Sequence, residues 1–275
     1  MAQRRVAAGT PEDHAMSPLL QVSGVAKAYG GNRVLESIDF VIRPGEIVGV
    51  IGPNGSGKST LLNAISGFTP VDSGQILLQG TPLQSATPHD IVSHGLARTF
   101  QLPAMPEKMT VMEVLLAAST AEHGFWSSLL GTRANRDAER LGRERAEQLL
   151  DELLLRNVRD NAAAALSGGQ KKLLSVACAL MGKPRLLMLD EPTAGVHPNL
   201  RRDMVQTLQR LNEQGLSLMI VEHDMHFIRD LCHRCIVLDR GHIVATCTPA
   251  ELSSNESVLE AYLGRGAQQP KVAIA

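Results

Sequence analysis

Aromatic side chains are scarce in this 275-residue chain, which has one Trp, two Tyr and five Phe. A groove that holds single-stranded nucleic acid by stacking bases on aromatic platforms has little to build from. A surplus of one charge is equally lacking: the formal net charge is -1 at pH 7. No global field therefore draws the chain to nucleic acid or anionic lipid, and no nucleic-acid partner is expected. Long apolar runs are also missing. The longest, residues 173–181, is interrupted by Ser175 and closed by Gly182, Lys183 and Pro184, well short of the ~18 residues that a spanning helix requires. Arg4 and Arg5 precede no apolar stretch, so the first residues do not read as a secretory signal. Cytosol is the default location, and a membrane role must come through a partner. Cysteines number only four. Cys232 and Cys235 have the CxxC spacing with His233 between them, but no second ligand pair stands near enough to close a zinc site. They read as reduced thiols near a strand start.

The chain is long enough for one large α/β domain with a sizeable core. Residues 1–17 are polar, small and proline-containing and read as a disordered lead. Met16, just before the first patterned segment, is a candidate alternative start that the native protein's intact mass would test. Residues 265–275 read as a short tail. Between them, residues 18–264 alternate short apolar runs with helical patterns, the mark of an α/β fold. Residues 19–25 and 38–42 alternate like strands. Three compact apolar runs, at 47–51, 186–189 and 216–221, look like buried parallel strands, and 76–78 and 236–238 look like further strands. From about 111 to 155 the pattern is helical instead. Ala138, Leu141, Arg145, Leu149 and Glu152 recur at helical spacing, and Leu149, Leu150, Leu153 and Leu154 form the apolar stripe. Glu139 before Arg143 makes an i,i+4 pair on the outer face. This stretch reads as a helical insertion in the α/β core, spanning about 102–182, with the charge run 133–145 as a solvated helix surface.

The sharpest chemical signal is Gly52-Pro53-Asn54-Gly55-Ser56-Gly57-Lys58-Ser59-Thr60, which matches G-x-x-x-x-G-K-[ST] with an apolar strand before it and a helical stretch after it. The glycines let successive N–H groups turn toward one anion, and the following helix adds the positive end of its dipole. Lys58 is placed to reach the β- and γ-phosphates of a nucleotide, and the Ser59 hydroxyl to ligate Mg²⁺. A second signal is the strand at 186–189 ending in Asp190 and Glu191, which sets two carboxylates at the sheet's carboxyl edge, where open α/β sheets bind ligands. Asp190 can hold Mg²⁺ through water, leaving Glu191 to orient and polarise the attacking water. Taken alone, such a pair is usually a solvated loop start; downstream of a phosphate loop it reads as catalytic.

The discriminating motif is Leu166-Ser167-Gly168-Gly169-Gln170 at the head of a helical stretch. A serine N-cap and two glycines at a helix start make a second anion site. One chain thus carries two phosphate-binding devices for one nucleotide. A head-to-tail pair resolves this, each serine loop closing over the nucleotide held by the other's Lys58 loop.

With these motifs in order, the chain resembles the ABC-transporter ATPase family across residues 19–264. The resemblance implies a P-loop NTPase core with an antiparallel β subdomain and an inserted helical subdomain, and ATP and Mg²⁺ as cofactors. It assigns Tyr29 to stacking on adenine. Gln101, in Arg98-Thr99-Phe100-Gln101, is assigned to Mg²⁺ or its water and to linking ATP with the permease. His223 is assigned to contacting the γ-phosphate, and Leu166–Gln170 to the nucleotide across the dimer. One motif departs: Ala194-Gly195-Val196-His197-Pro198 stands where the family's Ser-x-Leu-Asp loop belongs, so His197 is not given the aspartate's role.

That variant, Thr110-Val-Met-Glu-Val, Val221-Glu-His-Asp-Met225, the segment around Phe125 and Trp126, and the ending Val258-Leu-Glu-Ala-Tyr-Leu-Gly264 all resemble ATPases of branched-chain amino acid importers. The implied partners are a second ABC ATPase subunit, identical or different, integral membrane permease subunits and, indirectly, a periplasmic binding protein. The implied place is the cytoplasmic face of the cell membrane, held peripherally. Importers of urea or short amides, lipopolysaccharide-type exporters and non-transport ABC ATPases are the alternatives. The last usually carry coiled coils, zinc insertions or fused cassettes, which this sequence lacks. A plain P-loop switch is disfavoured by the Leu166–Gln170 loop.

Overall fold

The computed structural model describes residues 17–84, 86–100, 105–120 and 133–263. Gln101, Phe125, Trp126, nearly all of the expected lead and the expected tail lie outside them. Two sheets organise the described residues. The larger has the strand order β10-β9-β3-β8-β7-β6, formed by β3 (Ile47–Ile51), β6 (Leu96–Arg98), β7 (Leu186–Asp190), β8 (Ser217–Val221), β9 (Arg234–Asp239) and β10 (His242–Cys247). All neighbours in it are parallel except the β9–β10 hairpin at one edge. β3 and β8 are buried at every position, as expected of strands covered on both faces.

The pleat divides their side chains between two cores. Ile47, Ile51, Leu187, Leu189, Leu218 and Ile220 join the core shared with the helical region. Val48, Val50, Leu186, Met188, Met219 and Val221 join the core shared with α1 (Lys58–Ile65) and the second sheet. That second sheet, β2-β1-β4-β5, is antiparallel, built from β1 (Leu20–Tyr29), β2 (Asn32–Ile42), β4 (Ser73–Leu78) and β5 (Thr81–Pro82). Gly30 and Gly31, both at positive φ (54° and 86°), turn β1 into β2. Two left-handed residues make the type I′ hairpin turn that other residues resist.

The helical stretch contains α3 (Val111–Thr120), α4 (Arg133–Glu152) and α5 (Gly168–Met181), after the short α2 (Pro88–Ser93). Leu149, Leu150 and Leu153 of the expected stripe are buried. Leu154 is not: α4 ends at Glu152, Leu154 takes φ 59°, and its side chain is about half exposed while Leu155 goes inside. A residue in the left-handed region after a helix leaves the helical periodicity that places a stripe. The outer-face ion pair forms between Arg140 and Glu144 at 2.7 Å, one position along from the expected pair and equally solvated. After α5 come α6 (Pro198–Glu213), α7 (Met225–Leu231) and α8 (Glu256–Leu263).

Among the described residues no helix is long and apolar enough to cross a membrane. All four cysteines are free thiols, and burial pushes Cys178 and Cys235 up to about 12. Such thiols pack rather than react.

Candidate functional site

The loop between β3 and α1 is shaped by what glycine alone allows. β3 runs out at Ile51, and Gly52 continues at φ 150°, where an added Cβ would lie 2.1 Å from the Leu238 carbonyl oxygen of β9. Gly57 closes the loop at φ 107°, and a Cβ there would lie 2.8 Å from the Val34 carbonyl oxygen of β2. Gly57 is also the N-cap of α1, and no side chain caps that helix. Its first N–H groups and dipole are therefore available to an anion from outside the helix. The Lys58 ammonium lies back across the loop and donates to the carbonyls of Gly52 (2.8 Å) and Pro53 (2.9 Å). Burial lowers its pKa, against the pull of the Glu191 and Asp190 carboxylates. The Ser56 hydroxyl is buried within the loop and has no hydrogen-bond partner among the described residues.

β7 and β8 bring the acids and the histidine to the same sheet edge. Asp190 ends β7, and its carboxylate accepts from Arg98 at 3.0 Å. The same guanidinium donates to Asn63 (2.7 Å) and Ser66 (3.0 Å), tying β6 and β7 to α1. Glu191 follows at φ 46°, unusual for a non-glycine residue, and its N–H donates to the Val221 carbonyl at 2.9 Å. Such conformations persist where surrounding contacts enforce them, often at functional sites. Beyond β8, the His223 ring nitrogen Nδ1 stands 4.0 Å from Glu191 Oε1.

Ser167 N-caps α5 in a complete capping box: the Gln170 N–H donates to its hydroxyl at 3.3 Å, and the Ser167 N–H donates to Gln170 Oε1 at 3.0 Å. Leu166 is buried beneath it, while Ser167 and Gly168 face outward. Gly169 packs against Val196 and Leu200, which follow β7 in the chain. Tyr29 ends β1, about half exposed, with the Lys27 ammonium 5.5 Å from its ring centroid. His197 N-caps α6, its ring nitrogen accepting from the Asn199 N–H at 3.3 Å. A capping role accounts for this histidine without giving it a catalytic one.

Lys58, Asp190, Glu191 and His223 thus share one neighbourhood, whereas Ser167 is engaged with its own helix. Gln101 lies outside the described residues, although Thr99 and Phe100 lead toward it and the Phe100 ring meets Phe68 edge-on at 5.6 Å. Sequence reasoning missed Arg98, Lys172, Thr193 and Glu222. The clue for each was a charged or hydroxyl residue beside a motif or next to a strand end.

These residues fit a nucleotide with its metal. The uncapped α1, the positive-φ glycines and the unpartnered Ser56 hydroxyl suit a phosphate chain. Among the described residues no cluster of three or more His, Cys, Asp or Glu could hold a metal. The hydroxyl of Ser59 and the carboxylate of Asp190 are, however, the hard oxygen donors that Mg²⁺ takes alongside phosphate and water.

Comparison with known proteins agrees. The family model described as ABC transporter matches residues 35–194. A probable branched-chain amino acid transport ATP-binding protein LivG of Archaeoglobus fulgidus is 36% identical over 247 residues, 90% of this chain and 95% of that protein. The high-affinity branched-chain amino acid transport ATP-binding protein BraF of Pseudomonas aeruginosa is 34% identical over 90% of this chain and 98% of its own. The lipopolysaccharide export system ATP-binding protein LptB of Escherichia coli is 31% identical over 89% and 97%. Among solved structures, a nucleotide-free ATP-binding cassette from an ABC transporter superposes with a TM-score of 0.78 at 31% identity, covering 90% of this chain and all of that one. The glycine loop at 52–57, the paired carboxylates and the serine-capped helix start all lie within the matched residues 35–194: the chain belongs to the ABC transporter family, as an ATP-hydrolysing subunit.

Proposed function

We propose that this subunit drives an importer of branched-chain amino acids, as the names of LivG and BraF suggest. In this reading it works as one of two cassettes seated on membrane permease subunits at the cytoplasmic face. The observation that carries the mechanism is the unequal state of the two anion-binding helix starts: α1 has no side-chain cap, and α5 is capped by its own Ser167. One is built to take this chain's nucleotide, and the other to present a finished surface to a partner's.

Each residue then has a task. Lys58 and the loop N–H groups hold the phosphates, Tyr29 the adenine, and Glu191 orients and polarises the attacking water toward the γ-phosphorus. Mg²⁺, held by Ser59, Asp190 and Gln101, would offset charge on the phosphate oxygens. His223 faces the γ-phosphate, and the partner's copy of the serine loop closes over it, adding donors aimed at developing charge. Loss of the γ-phosphate removes what joins the halves, so they part.

The test is Glu191→Gln in the assembly purified with its membrane subunits. ATP binding and dimer closure are expected to persist while phosphate release nearly stops; near-normal turnover would take the base role from Glu191. The solute is tested separately, by uptake of labelled leucine against labelled urea. The identity to LptB supports a second reading, an exporter ATPase, which the copurifying membrane subunits would reveal.

A further inference from the structure

Glu222 is a wholly buried acid just past the end of β8, one residue before His223. Its carboxylate is filled by four donors. Oε1 accepts from the Thr193 N–H at 2.8 Å and the Thr193 hydroxyl at 2.5 Å. Oε2 accepts from the N–H groups of His223 (2.9 Å) and Asp224 (3.2 Å). Thr193 stands two residues after Glu191, so one side chain clasps the loop carrying the acid to the loop carrying the histidine. Lys172, buried on α5, supplies a cation among Glu222, Glu191 and Asp190, and its ammonium donates to the Glu191 backbone carbonyl. A buried carboxylate is costly unless its lone pairs are taken and its charge is met. Here both conditions hold, and the structure they hold together is the reacting edge.

We propose that Glu222 is a positioning residue for ATP hydrolysis: by bonding both the Glu191–Thr193 turn and the His223–Asp224 turn, it sets the spacing of Glu191 and His223. The proposal rests on the reading that Glu191 polarises the attacking water. A carboxylate is required because it presents two acceptor oxygens, whereas an amide presents one oxygen and one NH₂ group. Whichever way the amide of Glu222→Gln turned, at least one backbone N–H, that of Thr193 or those of His223 and Asp224, would face a donor. One loop must then move, and small misplacements of reacting groups are expensive in rate.

The experiment compares steady-state ATP hydrolysis by the assembly carrying Glu222→Gln, Thr193→Val, Thr193→Ser and, as a control, Glu191→Gln. Glu222→Gln is expected to lower kcat by about tenfold or more with KM for ATP changed by no more than about twofold, the size usual for outer-shell partners. Thr193→Val, which loses the hydroxyl bond but keeps the N–H, should fall less, and Thr193→Ser should recover most of the rate. Full kcat in Glu222→Gln overturns the proposal. So does a parallel loss of ATP binding and thermal stability with Thr193→Ser no better than Thr193→Val, which would make the clasp merely structural. Near-normal turnover in Glu191→Gln breaks the underlying reading instead, whereas an inactive Glu191→Gln beside a fully active Glu222→Gln breaks only this inference.

Discussion

The helix starts at Gly57 and at Ser167 both offer a glycine-rich turn and a positive dipole end, yet they are finished in opposite ways. α1 begins at a left-handed glycine with no side-chain cap, set among buried residues between β2 and β9. α5 begins at an outward-facing serine whose capping box is closed by Gln170. A helix start with no side-chain cap leaves its first N–H groups open to water or to a ligand. A capped one on the surface is stable before anything arrives. On the proposed reading, the difference separates a site the chain completes around its own nucleotide from a surface it lends to another copy.

Removing the cation from the first site should have the largest effect. Lys58→Ala leaves the loop glycines in place but takes away the ammonium that bonds the carbonyls of Gly52 and Pro53. Phosphate release is expected to fall ~100-fold or more, the range typical of losing one preorganised charge or donor. A fall of only a few-fold would mean that the uncapped helix alone holds the phosphates. Ser167→Ala is the matching test of the second site. Loss of an N-cap costs about 1 kcal/mol, read as a modest drop in thermal midpoint of the isolated subunit. In mixed dimers, hydrolysis should fall at the partner's nucleotide and persist at the mutant's own. Loss confined to the mutant's own site would erase the distinction between the two helix starts.

The legibility of the molecule follows the same division. Residues proposed to carry chemistry outward, such as Lys58, Asp190, Glu191 and Ser167, stand in motifs whose spacing is set by turn geometry, so the sequence displays them. The parallel strands at 47–51 and 186–189 were equally visible, because burial on both faces demands unbroken apolar runs. The three-residue β6 was not seen as a strand: Leu96, Ala97 and Arg98 include a charge, and nothing local says that Arg98 will be buried against Asp190. β10 alternates buried or half-buried with exposed positions at an edge, interrupted by polar residues, too weak a pattern to stand out. Glu222 and Lys172 stayed hidden for a related reason. A charge among apolar neighbours acquires its meaning only when distant turns close around it, and that is tertiary information. Leu154 misled because periodicity cannot show where a helix stops, only that it has been running.

The smallest expected change in stability sharpens the comparison most. Among the described residues an added Cβ at Gly168 meets nothing within 4 Å, whereas at Gly169 it would come within 2.5 Å of Leu200 Cδ2. Gly169→Ala must push a packed leucine aside and should destabilise by ~1–3 kcal/mol. Gly168→Ala should leave the isolated subunit within ~0.5 kcal/mol of its parent, because alanine is the better helix former and the position is open. If the surface at Gly168 is lent to a second cassette, that same harmless methyl must meet the partner's nucleotide, and phosphate release by the paired assembly should drop while the thermal midpoint of the single subunit stays put. Unchanged hydrolysis would mean that nothing approaches the α5 start, and that the capping box serves its own helix alone.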